Sequence, residues 1–337
     1  MSRKVFEITK TFRTKFEATS DEVLRWFPGH MFKSMERIQA VLKDIDCVIE
    51  VHDAKIPFSG RNPRFRDFIN LRPHILLLNK YDLADINVRR KELIENKLKT
   101  QGVDTIFYTD LRTYEKSPIL KDHILPTAIE LTNSRPRYQR QGNPEYNILV
   151  IGVPNVGKST FINAIRWSHI KTKGRATQVG AVAGITRSLL NKIMVHNNPV
   201  TYVFDTPGIL TPSIPNVDAG MKLAICRCIP DKIVGPENMS DYLLFWLNSH
   251  QRFDYVDFYG LKEPIDNVYD FLAEIAIINN KINKSRNQET SNEHIMVPNF
   301  EWAANKFLKD FRNGRLGQYF LDDNELMVKQ TEEISKN

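Results

Sequence analysis

Short apolar segments alternate with segments of helical spacing along the first two-thirds of the chain. Five apolar runs predict strands, at residues 47–51, 75–78, 105–108, 148–151 and 200–204. Between them, apolar positions recur every three or four residues, which predicts helices at 33–44, 86–101, 119–132 and 158–168. Because the strands are continuously apolar and separated by helices, we expect an α/β protein with a mostly parallel sheet and helices on both faces.

From about residue 220 the pattern becomes helical. Helices are predicted at 237–250, 266–283 and 300–313, with a polar loop at 284–294. The last helix would begin after a capping Asn299 and would place four residues on one face: Phe300, Ala304, Phe307 and Phe311. We therefore expect residues 220–325 to form a small α-helical C-terminal domain.

Composition limits the class of protein. Of the 337 residues, 42% are hydrophobic and 26% are charged, so the chain is neither disordered nor fibrous. Three cysteines are too few for a disulfide scaffold, and they form no CxxC pair of the kind that binds zinc. The apolar runs are far too short to span a bilayer. A formal net charge of +7 is compatible with a polyanionic partner.

Two stretches of the chain are basic. Residues 1–20 are amphipathic as well, with four apolar residues on one face of a predicted helix: Val5, Ile8, Phe12 and Phe16. That is the form of a mitochondrial targeting sequence, and an ordinary N-terminal helix packed on the protein body has the same form. Residues 133–146 combine arginine with proline and glycine, which predicts a linker.

Residues 152–159 carry the strongest chemical motif. They match the pattern G-x-x-x-x-G-K-[ST] between a predicted strand and a predicted helix, as a phosphate-binding P-loop requires. Its backbone N–H groups and the start of the helix would enclose phosphates. Lys158 would reach the β- and γ-phosphates, and Ser159 would bind Mg²⁺. The expected nucleotide contacts in this segment are Asn155, Val156, Gly157, Lys158, Ser159 and Thr160.

Two further segments are expected to close on the γ-phosphate and Mg²⁺. Asp205 and Gly208 form a D-x-x-G pattern after the fifth predicted strand. Asp205 would hold Mg²⁺ through water, and the N–H of Gly208 would contact the γ-phosphate. Residues 174–187 are glycine-rich, as a switch loop is, and Thr186 would bind Mg²⁺ there. The alternative is a plain flexible loop in which Thr186 is incidental.

Asn79, Lys80 and Asp82 form the pattern N-K-x-D after the second predicted strand. One carboxylate accepts from both the N1–H and the 2-amino group of guanine, whereas adenine would present an acceptor to it. Asp82 therefore indicates GTP rather than ATP, since unmatched buried polar groups are rejected. Lys80 would lie along the base, and a backbone N–H at Thr109 or Asp110 would contact guanine O6.

The order of these motifs is unusual. The guanine motif precedes the P-loop and the D-x-x-G motif comes last, whereas Ras-like GTPases begin with the P-loop. The sequence therefore resembles the circularly permuted GTPases of the YlqF/RbgA group over roughly residues 21–320. Other segments that carry the resemblance are 25–31, 51–57 and 184–187. It implies a circularly permuted Ras-like P-loop GTPase domain at residues 21–215, followed by the helical domain.

Within that group, residues 59–63 and 250–253 are most similar to mitochondrial, ribosome-associated members. The resemblance implies a GTP-hydrolysing assembly factor that binds rRNA and proteins of the large mitochondrial ribosomal subunit in its GTP state and leaves after hydrolysis, in support of mitochondrial translation. It implies a peripheral protein on the matrix side of the inner membrane, and it favours a targeting sequence at residues 1–20. We expect a monomer.

Catalysis must use groups other than the glutamine of Ras-type enzymes, because Ile209 follows the D-x-x-G motif and cannot orient water. The resemblance implies two substitutes. One is His30, reaching the attacking water, and the other is a K⁺ ion held partly by Asn155, which would act like an arginine finger. Alternatively, His30 holds the N-terminal segment on the body or contacts rRNA, and Asn155 only shapes the P-loop.

Two other hypotheses share these motifs. In one, the protein is a GTP-binding scaffold at the inner membrane whose hydrolysis is incidental, and stimulation of turnover by the ribosomal subunit separates it from the assembly factor. In the other, it is a nucleolar or cytosolic relative, which would be expected to carry long lysine-rich tails. Basic clusters compatible with rRNA contact, or with a merely solvated face, contain Arg135, Arg137, Arg140, Lys171, Lys173, Arg175, Arg187, Arg312 and Arg315.

Overall fold

The computed structural model describes residues 12–17, 36, 38–61, 72–113, 118–137, 139–170, 191–210, 214–286 and 294–326. These residues divide into two compact units. The sheet unit comprises the described residues from 36 to 230 together with 318–326, and the helical unit comprises 12–17 together with the described residues of 231–317. The C-terminal segment therefore belongs to the sheet unit.

The described part of the sheet unit is built on six strands. Their bounds are β1 Cys47–Asp53, β2 His74–Asn79, β3 Ile106–Thr109, β4 Tyr146–Ile151, β5 Asn191–Asn197 and β6 Val200–Asp205. The spatial order is β3-β2-β1-β4-β6-β5, and only β5, at one edge, runs antiparallel to its neighbour. The predicted mostly parallel sheet is confirmed, and all seven residues of β1 are buried at its centre.

The edge strand β5 was not predicted from the sequence. Most of its side chains are at least partly exposed, and Val195 is the one fully buried apolar residue in it. Its strand conformation comes from pairing with β6, which begins three residues after β5 ends. Pairing with a neighbour can decide strand formation where local composition does not.

Four α-helices of the sheet unit have both ends within the described residues: α1 Val88–Lys99, α2 Leu125–Asn133, α3 Lys158–Ile170 and α4 Val217–Ile225. The first three coincide with predicted helices, although a π-helical turn at Leu120–Ile124 precedes α2. The predicted helix at 33–44 ends in a 3-10 turn at Leu42–Asp44 and lies partly outside the described residues. α4 was not predicted, and it begins at a capping Asn216 that accepts from the N–H of Ala219.

Residues 318–326 pack against β2, α1 and the turn that follows β1. The N–H of Leu321 donates to the carbonyl of Lys55 at 2.9 Å, and the N–H of Tyr319 donates to the carbonyl of Leu83 at 3.1 Å. The side chain of Phe320 is buried in the apolar cluster formed by β2 and α1. This segment therefore covers part of the core.

Asp322 is the polar anchor of the same segment. Its buried carboxylate accepts from the N–H of Phe58 at 2.8 Å, and from the N–H and the hydroxyl of Ser59 at 2.9 and 2.5 Å. It also lies 3.6 Å from the ammonium of Lys222 in α4. Burial raises the pKa of Asp322, against the opposing effects of Lys222 and these hydrogen bonds.

The described helical unit contains α5 Asp231–Val234, α6 Pro236–Ser249, α7 Asp254–Tyr259, α8 Val268–Ile278, α9 Phe300–Arg312 and an antiparallel pair, β7 Ile282–Arg286 with β8 His294–Pro298. The prediction of a helix through residue 283 was wrong, because Asn280 adopts a left-handed φ of 54° and ends α8. The predicted loop at 284–294 contributes to the strand pair instead.

The helix α9 begins and packs as predicted. The side chain of Asn299 accepts from the N–H of Trp302 at 2.9 Å. Ala304, Phe307 and Phe311 are buried on one face. No helix in the described ranges, in this unit or in the sheet unit, is long and apolar enough to cross a membrane.

Residues 12–17 belong to the helical unit but are not helical, contrary to the expectation for this part of the N-terminal segment. The ring of Phe16 packs edge-on against Tyr242, with ring centroids 5.2 Å apart. Arg13 forms ion pairs with Asp241 and Asp266 at 2.8 and 3.3 Å. These six residues are therefore held by side-chain contacts rather than by helical hydrogen bonds.

Several arginines named as possible rRNA contacts are used within their own unit. Arg137 and Arg140 both bind the buried carboxylate of Asp46, at 2.8 and 3.1 Å. Arg312 and Arg315 pair with aspartates of the helical unit. Arg137 and Arg140 are therefore structural residues that close the segment 133–146 onto the start of β1.

Candidate nucleotide-binding site

The sequence motifs meet at one edge of the sheet. Because β1, β2, β3, β4 and β6 are parallel, their carboxyl ends lie together. The chain proceeds from β1 outward to β2 and β3, and from β4 in the other direction, so strand order reverses between β1 and β4. Ligands of open parallel sheets bind at such a reversal, and the P-loop leaves β4 there.

The P-loop, residues 152–157, connects β4 directly to α3. A Cβ on Gly157, whose φ is 112°, would lie 2.4 Å from Nδ2 of Asn79. Glycine is therefore required at this position. Ser159 and Thr160 lie in the first turn of α3, partly exposed, and the N-terminus of a helix favours an anion.

The D-x-x-G turn rests on the P-loop. A Cβ on Gly208 would lie 2.6 Å from the backbone nitrogen of Pro154. The N–H of Ile209 donates to the carbonyl of Gly152 at 3.2 Å, and the side chain of Ile209 is buried. The two loops are therefore in direct contact.

Lys158 is buried beneath the P-loop. Its ammonium donates to the carbonyl of Val153 at 2.9 Å. Burial lowers the pKa of Lys158 to about 8, against the attraction of Asp205. A bound phosphate would supply the negative partner that this buried ammonium needs.

Asp205 ends β6 and is 3% exposed. Its Oδ1 is buried and has no hydrogen-bond partner among the described residues. Burial raises the pKa of Asp205 to about 6, against the effects of Lys158 and the N–H of Thr206. An unpartnered, buried carboxylate oxygen beside the first turn of a P-loop helix fits a ligand of Mg²⁺, directly or through water.

Asn79 links three loops of the site. Its Nδ2 donates to the carbonyl of Val156 at 2.7 Å, and its Oδ1 accepts from the N–H of Leu111 at 3.1 Å and from the hydroxyl of Thr109 at 3.4 Å. The amide is thus occupied by protein groups. In this structure the side chain of Asn79 therefore positions the P-loop and the loop after β3.

Lys80 is held by a carboxylate that sequence reasoning missed. Its ammonium lies 2.8 Å from Asp53 at the end of β1, and Lys55 lies 2.9 Å from the same carboxylate. Burial alone would raise the pKa of Asp53, but the two ammonium groups hold that pKa below its ordinary value. The signals in the sequence were the position of Asp53 after an apolar strand and its place in the segment 51–57, which carries the family resemblance.

Asp82 has one oxygen paired and one free. Arg112, whose side chain is largely exposed, binds Oδ2, while Oδ1 is buried without a hydrogen-bond partner in the described chain. The free oxygen fits an acceptor for a guanine N–H group. Asp110 accepts from the N–H of Arg112 and the hydroxyl of Thr113, so its carboxylate shapes its own loop.

Asn155 contacts a turn that sequence reasoning also missed. It has a left-handed φ of 60°, and its Nδ2 donates to the carbonyl of Arg227 at 2.8 Å. Arg227 follows the end of α4. The turn after α4 therefore touches the P-loop at the residue that was expected to hold K⁺.

Two predicted residues, His30 and Thr186, lie outside the described residues. The described candidates form two groups at the same sheet edge. The residues expected to bind phosphate and Mg²⁺ lie around the P-loop, and the residues expected to bind guanine lie at the ends of β2 and β3.

The model of a family described as "50S ribosome-binding GTPase" matches residues 147–281. Mitochondrial ribosome-associated GTPase 1 of Xenopus tropicalis is 45% identical over 314 residues, which cover 92% of this chain and 98% of that protein. The protein of the same name from Mus musculus is 44% identical over 315 residues, covering 92% and 94%. The chain belongs to this GTPase family.

A solved structure supports the fold assignment. GNP-bound YlqF from T. maritima aligns with a TM-score of 0.51 and 20% identity, over 86% of this chain and 97% of that one. The family model begins just before the P-loop, whereas the guanine motif lies at 79–82. The predicted circularly permuted P-loop GTPase fold, with its order of motifs, is therefore confirmed.

Proposed function

We propose that this GTPase is an assembly factor of the large mitochondrial ribosomal subunit, which it binds in the GTP state and leaves after hydrolysis. The observation that carries the proposal is the meeting of a P-loop, Asp205 and Asp82 at one edge of a permuted sheet. Support for the partner comes from relatives at 44% and 45% identity whose names state association with the mitochondrial ribosome.

The guanine site is proposed to form around Asp82. Its Oδ1 is buried without a partner in the described chain and can accept a hydrogen bond. Its Oδ2 forms an ion pair with the largely exposed Arg112, and ion pairs of this kind contribute little to the free energy of folding. Guanine would replace Arg112 at this carboxylate. Lys80, fixed by Asp53, would cover the base.

The metal sites are proposed to form around the phosphates. Ser159, Thr186 and, through water, Asp205 would hold Mg²⁺, which neutralises charge on the β- and γ-phosphates. Asn155 would offer its amide oxygen to K⁺, because its nitrogen donates to Arg227. Turnover of the native chain should then be faster in K⁺ than in Na⁺, and Asn155→Ala should remove that difference. An equal difference in the variant would remove Asn155 from the K⁺ site.

His30 is proposed to reach the attacking water, because the buried Ile209 cannot orient it. His30→Ala should lower ribosome-stimulated GTP turnover while GTP affinity stays unchanged. Unchanged stimulated turnover would remove His30 from the mechanism.

Hydrolysis is proposed to act through the D-x-x-G turn. This turn lies on the P-loop and continues toward α4, so loss of the γ-phosphate contact at Gly208 would release both. The GTP state would fix the arrangement that binds the subunit, and the GDP state would free it.

The proposed location is the matrix side of the inner mitochondrial membrane, where the protein would act as a peripheral monomer. Support for the compartment comes from the names of the mitochondrial relatives. Protease protection in mitochondria and mitoplasts, followed by salt extraction of membranes, tests the location. Sedimentation of the purified chain tests its oligomeric state.

GTP turnover in K⁺ buffer, with and without purified large mitochondrial ribosomal subunits, tests the proposed function. Lys158→Ala is the blank, since it removes the phosphate-binding ammonium. We expect strong stimulation by the subunit. Turnover without stimulation would contradict the assembly-factor proposal and would favour a GTP-binding scaffold at the inner membrane.

A further inference from the structure

The turn at residues 226–228 brings an arginine backbone to the P-loop. Arg227 lies between the end of α4 and the last residues of the sheet unit before 230. Its carbonyl accepts the hydrogen bond from Asn155 at 2.8 Å. The origin of its side chain is therefore fixed beside the loop that would enclose the phosphates of GTP.

The backbone of this turn favours a different residue. Arg227 has a φ of 68°, its N–H donates to the carbonyl of Ala224, and the N–H of Cys228 donates to the carbonyl of Leu223. These bonds form the helix-ending motif that usually contains glycine at the left-handed position. An arginine is strained there.

Gln251 and Asn280 occupy the same left-handed position after α6 and α8. Arg227 has in addition the contact with Asn155 of the P-loop. Strain at such a site points to a role for the side chain.

The neighbours of Arg227 anchor the turn. Cys226 and Cys228 are both buried, whereas Arg227 is exposed. Burial raises the pKa of the Cys228 thiol to about 12, so it packs as a neutral group. The turn therefore holds two side chains in the core and leaves the arginine between them in solvent.

The lysine side chains described at this edge of the sheet are already held by protein groups. Ile209 is buried and offers no hydrogen bond to water. The ammonium of Lys80 is held by Asp53, and that of Lys158 lies under the P-loop. In the part of the chain that the structure describes, Arg227 forms no ion pair. A guanidinium at this point can stabilise charge that develops during phosphoryl transfer.

We infer that Arg227 is a catalytic residue, an arginine finger supplied by the chain itself; the inference rests on the proposed GTPase function. Water attacks the γ-phosphorus and the bond to the β,γ-bridging oxygen breaks, with its electron pair remaining on GDP. One proton of the water stays on the released phosphate and the other goes to solvent. Together with the K⁺ ion proposed at Asn155, the guanidinium of Arg227 neutralises the negative charge that gathers on the bridging and γ-phosphate oxygens.

Arg227→Gly separates this role from a structural one, because glycine suits the φ of 68°. The variant should be at least as thermally stable as the native chain and should bind GDP and GTP with affinities within about twofold. Single-turnover hydrolysis of bound GTP, measured with purified large mitochondrial ribosomal subunits present, should fall by about 10²–10³-fold, the range for loss of one group that stabilises transition-state charge. Arg227→Lys should recover only a small part of the rate, because lysine lacks the planar fork.

Arg89→Ala, at an exposed arginine of α1, is the matched control and should leave the rate unchanged. GDP with aluminium fluoride should form a stable complex with the native chain and not with Arg227→Gly. All rates are measured in K⁺ and in Na⁺, and the loss should appear in both, which separates Arg227 from the K⁺ ion at Asn155.

An unchanged rate in Arg227→Gly would overturn the inference, and so would a loss confined to K⁺ buffer or accompanied by loss of GDP binding. Those results would indicate that Arg227 only positions Asn155 or stabilises the fold. A native chain that does not hydrolyse GTP in the same assay would instead overturn the proposed function itself, and the inference with it.

Discussion

At the scale of single residues, the site is assembled by polar side chains that bind protein groups so that others remain ready for ligand. The side-chain amide of Asn79 forms hydrogen bonds with the backbone of Val156 and Leu111, and the carboxylate of Asp53 forms an ion pair with Lys80. In contrast, one oxygen of Asp82 and one of Asp205 are buried without hydrogen-bond partners in the described residues. Buried polar atoms usually have partners, so these two oxygens indicate where guanine and Mg²⁺ would bind.

Replacement of Asp82 by asparagine should exchange the base preference. An amide at this position donates to the 2-carbonyl of xanthine but leaves one guanine donor unmatched, at a cost of about 1–3 kcal/mol. GTP affinity should fall by about 10- to 100-fold while XTP affinity rises, as measured by competition with a fluorescent GDP. Asp104→Asn, at an exposed aspartate before β3, is the control and should change neither affinity. Equal losses for both bases in Asp82→Asn would contradict the assignment.

Asp53→Asn should weaken the protein and the site together. The change leaves the buried ammonium of Lys55 and the partly exposed ammonium of Lys80 without their carboxylate, and breaking an ion pair to a buried carboxylate costs about 3–5 kcal/mol. We expect that loss in the free energy of unfolding by urea, and weaker GDP binding as Lys80 loses its position. Asp104→Asn, at an exposed aspartate, should change neither quantity. Full stability in Asp53→Asn would show that the ion pairs do not position Lys80.

At the scale of elements, the helices and strands that could be predicted from the sequence are those whose formation depends on a local pattern of residues. The strands β1, β2, β3, β4 and β6 were predicted because they are apolar runs, and Asn299 marked the start of α9 because capping is local. The edge strand β5 and the β7–β8 pair were missed, since they depend on antiparallel pairing that their local composition does not indicate. The motifs located Asp82 and Asp205, but Asp53 and Arg227 became visible only through contacts across the fold.

The C-terminal segment is an element that no local pattern could place, because Asp322 binds Ser59 from 263 positions away. Asp322→Ala should remove three hydrogen bonds from buried or partly buried donors, and should lower the free energy of unfolding by about 2–4 kcal/mol. GDP binding should also weaken, because the segment holds the guanine loop through Leu83.

Asp323→Ala provides the comparison for the C-terminal segment, since Asp323 pairs with Arg90 near the surface. Its loss should cost less than about 1 kcal/mol. If Asp322→Ala were no more destabilising than Asp323→Ala in urea unfolding, the proposed anchoring of the segment would be wrong.

At the scale of the whole molecule, the permutation puts the D-x-x-G turn late in the sheet unit, shortly before the helical unit begins in the chain. The turn leads through α4 and the Arg227 turn to the first residue of the main helical segment at 231. The segment that would respond to a change of nucleotide at the P-loop is therefore joined directly, along the chain, to that unit. We therefore expect nucleotide state to decide whether the partner is bound.

The affinity of the chain for purified large mitochondrial ribosomal subunits, measured by cosedimentation with a non-hydrolysable GTP analogue and with GDP, tests this claim most directly. The account predicts at least about tenfold tighter binding with the analogue, which is a difference of about 1.4 kcal/mol between the two states. Lys158→Ala should bind weakly under both conditions. Equal affinities of the native chain in the two nucleotide states would contradict the account.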